Sequence, residues 1–124
     1  MGNIHSVTEA LKSLEEEIIL IKTKQQLKDC KALILPGVGA FDPAINNLRN
    51  TDLISDIKNW IKSGKSFLGI CLGLQLLFES SDEGSTNGLG ILKGQIKKIP
   101  ILSDQRIPHV GWCELLPTSR NCLL

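Results

Sequence analysis

Three short apolar runs, separated by stretches of helical spacing, limit what this chain can fold into. They are Ile18-Ile19-Leu20-Ile21, Ala32-Leu33-Ile34-Leu35 before Pro36-Gly37, and Ser66-Phe67-Leu68-Gly69-Ile70 running into Cys71. Runs this short and this continuously apolar read as strands buried on both faces. Between the second and third, Asp42-Pro43 has the form of a cap followed by a proline at the first helical position. A longer helix is predicted from about Asp52, with Leu53, Ile54, Ile57, Trp60 and Ile61 on one stripe and Gly64 as its stop. Upstream, Ser6 and Glu9 form a capping box, Val7, Ala10, Leu11 and Leu14 keep helical spacing, and Glu15-Glu16-Glu17 reads as a solvated face or as the exit of that helix. Thr23 caps a brief helix through Leu27. Beyond the third run, Leu74, Leu77 and Phe78 predict a buried helix, Ser80 to Asn87 a polar loop, and Leu89 to Leu116 short strands and turns. Strands alternating with helices imply βαβ units. The expected fold class is α/β, a doubly wound, mostly parallel sheet with helices on both faces.

Length and charge narrow the function classes. With 124 residues the chain suits one domain around one core. Fourteen Lys and Arg against 13 Asp and Glu leave no basic footprint for nucleic acid or an anionic membrane. The densest apolar stretch, Phe67 to Phe78, is interrupted by Gln75 and too short to span a bilayer. The opening Met1-Gly2-Asn3-Ile4-His5-Ser6 lacks the basic and apolar regions of a secretory signal. Cys30, Cys71, Cys113 and Cys122 contain no C-x-x-C pair, which argues against a zinc ribbon or a thioredoxin motif. Free thiols in a reducing cytoplasm are the expectation, with no metal and no cofactor.

In open parallel sheets chemistry gathers beyond the carboxyl ends of the strands. Two loops lie there. Gly69-Ile70-Cys71-Leu72-Gly73 has the form G-x-C-x-G between a strand and a helix, the thiol counterpart of the G-x-S-x-G nucleophile elbow. Side chains at the flanking glycines would collide with the neighbouring backbone. The positive end of the following helix favours thiolate over thiol, and the N–H of Leu72 faces the space where an oxyanion forms. Cys71 is therefore the candidate nucleophile, and the other three cysteines are read as inert. The second loop, Pro36-Gly37-Val38-Gly39, admits two readings, a tight turn or a second source of oxyanion donors facing Cys71. Gln75, four residues past the cysteine, either reaches a polar substrate group or satisfies a backbone group beneath the loop.

These residues resemble a known family. Pro36-Gly37-Val38-Gly39-Ala40-Phe41 and Gly69-Ile70-Cys71-Leu72-Gly73-Leu74-Gln75-Leu76-Leu77-Phe78 are similar to class I, triad-type glutamine amidotransferases. Met1-Gly2-Asn3-Ile4-His5-Ser6-Val7 and Ile107-Pro108-His109-Val110-Gly111-Trp112 narrow the resemblance to the glutaminase subunits of imidazole glycerol phosphate synthases, of histidine biosynthesis. The resemblance implies a flavodoxin-like sheet and attack of Cys71 on the side-chain amide of glutamine, with release of ammonia and a γ-glutamyl thioester that water hydrolyses. It implies oxyanion donors at Leu72 and at the Val38–Gly39 peptide, and glutamine held with help from Gly37 and Gln75. It implies a heterodimer with a (β/α)8 cyclase subunit that receives the ammonia, with Asn3 and Trp112 toward that barrel. It further implies a site that is weak until the partner is occupied, when the Val38–Gly39 peptide turns its N–H toward the oxyanion.

The family pattern begins with a strand before the M-G-N turn and carries, well after P-H-x-G-W, a catalytic histidine with a glutamate two residues later. Residues 1–124 contain only His5 and His109, and neither has that glutamate. The expectation is a partial amidotransferase domain, cut at both ends, with little glutaminase activity by itself. Three other readings stand beside this one: another class I glutaminase such as that of anthranilate synthesis, a non-catalytic interaction module of the same fold, and a cysteine hydrolase of the α/β-hydrolase type.

Overall fold

The computed structural model describes residues 4–100 together with Gly111, Trp112, Glu114 and Leu116. Helix α1 spans Ile4–Lys12, and a 3₁₀ turn covers Lys24–Leu27. Strand β1 (Ala32–Gly37), helices α2 (Phe41–Arg49) and α3 (Ile54–Lys62), and strand β2 (Ser66–Cys71) then form a parallel βαβ unit. A one-turn helix, α4 (Leu72–Gln75), follows β2 directly, and the short strands β3 (Ser80–Ser81) and β4 (Gln95–Ile96) pair in parallel.

The apolar stripes position the helices. In α2, Phe41, Ile45 and Leu48 fall at intervals of four and three residues, and the first two are fully buried. They pack on Leu72, Leu76, Leu77 and Leu89, the residues that follow the end of β2. In α3, Ile57 and Trp60 close a second cluster with Leu27 and Leu53, and Leu48, Ile61 and Phe67 touch both clusters. The Trp60 indole N–H donates to the Ser66 carbonyl at 2.9 Å, and the Lys65 ammonium lies 4.4 Å from the ring centroid. Leu33 and Phe67, paired across the ladder, both face this helical side. The next pair, Ile34 and Leu68, faces the other way, and Leu68 is 53% exposed.

Several expected boundaries shift for identifiable reasons. Ile18–Ile21 is not a strand, because a strand needs a hydrogen-bonded neighbour and none among the described residues pairs with it. Ile19 and Leu20 are exposed, while Ile21 packs on the Leu27 cluster. α1 starts at Ile4, two residues ahead of the Ser6 capping box, and buries none of its residues. It ends at Lys12, short of Leu14, and Glu15 then takes φ 59° while the N–H groups of Glu15 and Glu16 close on the carbonyls of Lys12 and Leu11. α2 starts one residue before Asp42, with Ala40 as its cap, so Asp42 is the second helical residue and its carboxylate is free for another use. α3 starts at Ile54 behind Leu53, and Gly64 closes it, donating its N–H to Ile61.

The buried helix expected through Phe78 stops after Gln75. Leu77 and Phe78 donate to residues three back, which tightens the turn and leaves Leu74 44% exposed while Leu76 and Leu77 are buried. The polar stretch 80–87 is no free loop either. It opens with β3 and is tied back by Gly88 donating to Glu79 and Leu89 to Leu76. No helix of the described residues is long and apolar enough to cross a membrane.

Candidate active site

β1 and β2 run in register, Ala32 beside Ser66, so they end side by side with Gly37 opposite Cys71. The two loops singled out by their residues therefore meet at one end of the sheet. Cys71 has φ 53° and ψ −117°, a region that side-chain-bearing residues rarely occupy. Such a conformation costs on the order of 1–3 kcal/mol and persists only where the surroundings over-determine it. Its thiol is exposed.

Close packing supplies the over-determination. A Cβ on Gly73 would overlap the carbonyl oxygen of Leu35, and one on Gly69 would lie 2.7 Å from the Cα of Leu74. A Cβ on Gly37 would lie 2.8 Å from the Gly73 nitrogen and 2.9 Å from the Leu72 Cβ. The flanking glycines thus let α4 fold back onto both strands. The Leu72 side chain, 2% exposed, plugs into the Phe41 cluster and anchors the turn from below. α4 has only four residues, so the positive helix end expected behind Cys71 is that of a single turn.

The other loop is open. Val38 is 57% exposed, Gly39 has φ 102°, and nothing lies within 4 Å of where a Gly39 Cβ would stand. Gln75 is half-buried, and its Oε1 is buried with no hydrogen-bond partner. It does not satisfy the backbone beneath the loop, which was one of its two readings. An acceptor left in that state costs about 1–3 kcal/mol and calls for a donor. Trp112 is fully exposed. Asn3 and His109 lie outside the described residues, and His5 is exposed on α1. Among the described residues no group of His, Cys, Asp and Glu is arranged to hold a metal. A shallow cleft of about 250 Å³ between the 3₁₀ turn and α3, walled by Lys24, Lys28, Trp60 and Lys65, contains no residue of the elbow.

Asp42 is the residue whose part was not visible from its neighbours in the chain. Its carboxylate accepts the Ser85 N–H at 3.1 Å, the Ser85 hydroxyl at 3.3 Å and the Thr86 N–H at 3.0 Å. The backbone donors of Ser85 and then Thr86 hold its carboxyl below the ordinary value of 3.8. A carboxyl depressed on folding adds stability that is full above its unfolded value and is lost as pH falls through the lower, folded one. The Ser85 and Thr86 amides are therefore expected to keep their exchange protection at the ordinary carboxyl value of 3.8 and to lose it only as pH falls further. Asp42→Asn should remove that acid transition from an amide-exchange series. An unchanged transition in the variant assigns it to another group.

Similar proteins are known. The model of the CobB/CobQ-like glutamine amidotransferase domain matches residues 3–102. "Imidazole glycerol phosphate synthase subunit HisH" of Prochlorococcus marinus subsp. pastoris (strain CCMP1986 / NIES-2087 / MED4) is 86% identical over all 124 residues, which cover 60% of that protein. The proteins of the same name from Prochlorococcus marinus (strain MIT 9312) and Synechococcus sp. (strain CC9902) are 76% and 53% identical over 124 residues, with 60% and 58% of their lengths covered. The chain thus spans about three-fifths of the length of these relatives.

Proposed function

Because the chain belongs to the CobB/CobQ-like glutamine amidotransferase domain family, we propose that it is the glutaminase part of an imidazole glycerol phosphate synthase. Residues 1–124 are taken as part of one amidotransferase domain. The observation that carries the reading is the exposed Cys71 at φ 53°, set opposite Gly37 and followed by α4, whose Gly73 packs on Leu35. A strained, exposed nucleophile at the carboxyl end of a parallel strand is the arrangement that acyl transfer uses.

In the proposed reaction the Cys71 sulfur adds to the side-chain carboxamide carbon of glutamine, giving up its proton as the C–S bond forms. Negative charge moves to the amide oxygen, where the N–H of Leu72 and that of the Val38–Gly39 peptide receive it. Collapse breaks the C–N bond, and the nitrogen leaves as ammonia after taking up a proton. Water then adds to the γ-glutamyl thioester, expels the thiol and yields glutamate. Gln75, whose Oε1 lacks a donor, and Gly37, set opposite Cys71, are the residues proposed to help hold the glutamine. No cofactor enters these steps.

The relatives are named as subunits, which supports a partner. We assign that place to the (β/α)8 cyclase, which takes the ammonia to form imidazole glycerol phosphate and aminoimidazole carboxamide ribotide in histidine biosynthesis. Trp112, exposed over its whole surface, and Asn3 are the proposed contacts, and the cytoplasm is the proposed compartment. A diazoketone analogue of glutamine tests the reading. Mass spectrometry of the complete gene product should find one adduct, on Cys71 and not Cys30, with glutamine protecting against it. Equal labelling of both cysteines, or no protection, overturns the assignment.

A further inference from the structure

The Val38–Gly39 loop has no lateral support. Val38 stands exposed, and no atom lies within contact of Gly39's open side. Its path is therefore set by its two ends. One end is Gly37, fixed in the ladder beside Cys71. The other is the first turn of α2, reached after only Ala40. Whatever orients that turn orients the peptide that faces the cysteine.

Packing alone constrains the turn incompletely. Phe41 is buried among Leu72, Leu76, Leu77 and Leu89, but apolar contact is non-directional and permits α2 to rotate or slide about its axis. The Asp42 carboxylate adds direction, since one oxygen receives Thr86 N–H and the other receives Ser85 N–H and hydroxyl. The turn it grips comes so near that a Cβ on Gly84 would overlap the carboxylate. At the far end of α2, Arg49 Nη2 donates to the Asn87 carbonyl at 2.9 Å. The gripped segment is itself bonded back to the residues after the elbow: Leu89 donates to Leu76 at 2.8 Å and Gly88 to Glu79 at 2.9 Å. The connections form a closed circuit, from Cys71 through α4 and residues 84–89 to Asp42, and back through Gly39 to the strand beside Cys71.

We infer that Asp42 is a positioning residue for the glutaminase site, its carboxylate clamping residues 84–86 to the start of α2 and so fixing the Val38–Gly39 peptide relative to Cys71. The inference rests on the amidotransferase reading for its catalytic consequence, but the coupling of residues 38–40 to the clamp stands apart from it. The complete gene product with its cyclase, carrying Asp42→Ala, Asp42→Asn or Arg49→Ala, decides the matter by two readouts. In Asp42→Ala, the amide chemical shifts of Val38, Gly39 and Ala40 should move while amide exchange at Ser85 and Thr86 accelerates. Arg49→Ala should accelerate exchange near Asn87 alone.

Per site titrated with the diazoketone, kcat for glutamine hydrolysis should fall about tenfold in Asp42→Ala with KM changed by less than about twofold. Asp42→Asn, which keeps one acceptor and the shape of the side chain, should lie between and covers the case in which the alanine variant does not fold. If the 85–86 amides open while the chemical shifts at 38–40 and kcat per titrated site hold at wild-type values, the clamp is structural only and the inference is wrong. If the wild-type protein neither hydrolyses glutamine nor takes up the diazoketone, the amidotransferase reading fails instead, and the chemical shifts at 38–40 still decide the coupling.

Discussion

Cys71→Ser is expected to lower glutamine hydrolysis by the complete gene product at least about a thousandfold, the scale seen when a nucleophile is removed from a site whose groups act as a unit. Serine matches cysteine in shape and tolerates the same backbone. Because the replaced atom is exposed, stability should shift by no more than about 0.5 kcal/mol. What changes is reactivity, since a hydroxyl without a strong adjacent base is a far poorer nucleophile than a thiolate. Ammonia release in single turnover measures the loss. The proposed cyclase partner supplied with ammonium salt should run at its ordinary rate with the variant bound, which separates lost chemistry from lost assembly. Hydrolysis within about tenfold of wild type in Cys71→Ser would leave the proposed mechanism without its nucleophile.

Gly73→Ala is expected to be the most damaging of the conservative changes near the sheet end. The added methyl would meet the carbonyl oxygen and carbon of Leu35, backbone atoms in the middle of the two-strand ladder. Neither neighbour is the movable end of a side chain, so either the ladder or α4 must give way. Overpacking of this kind costs about 3 kcal/mol at the upper end of the usual range. For a domain near this size that lowers the melting temperature by about 10 °C or more. Where the protein still folds, lifting α4 removes the support that holds Cys71 at φ 53°, so the diazoketone should also react more slowly. A melting temperature within about 2 °C of wild type would mean that α4 does not lie on Leu35 as described.

The elbow was legible in the sequence because its glycine frame brackets the cysteine in five consecutive residues. Gly69 is glycine because Leu74, five residues on, lies where its side chain would be, whereas the atoms that crowd Gly73 and Gly37 come from the other strand's end and are seen only in the fold. The stripes of α2 and α3 were legible for a like reason, as each buries one face. Ile18–Ile21 misled because an apolar run does not declare whether it will find a hydrogen-bonding partner. Ser80–Ser81 escaped notice as a strand because a two-residue ladder with residues 95 and 96 has no periodicity to detect. Asp42 was read as a cap because Asp-Pro has that form locally. Its real partners lie 43 and 44 residues away, and no pattern along the chain connects them.

The backbone angle at Cys71 also bears on which chemistries evolution could install there. A positive φ with ψ −117° is tolerable for an unbranched side chain and severe for one branched at Cβ. Threonine, a capable nucleophile on other scaffolds, is thus excluded by stereochemistry before its reactivity matters. Any descendant of this elbow that exchanged its sulfur for oxygen would have had to pass through serine.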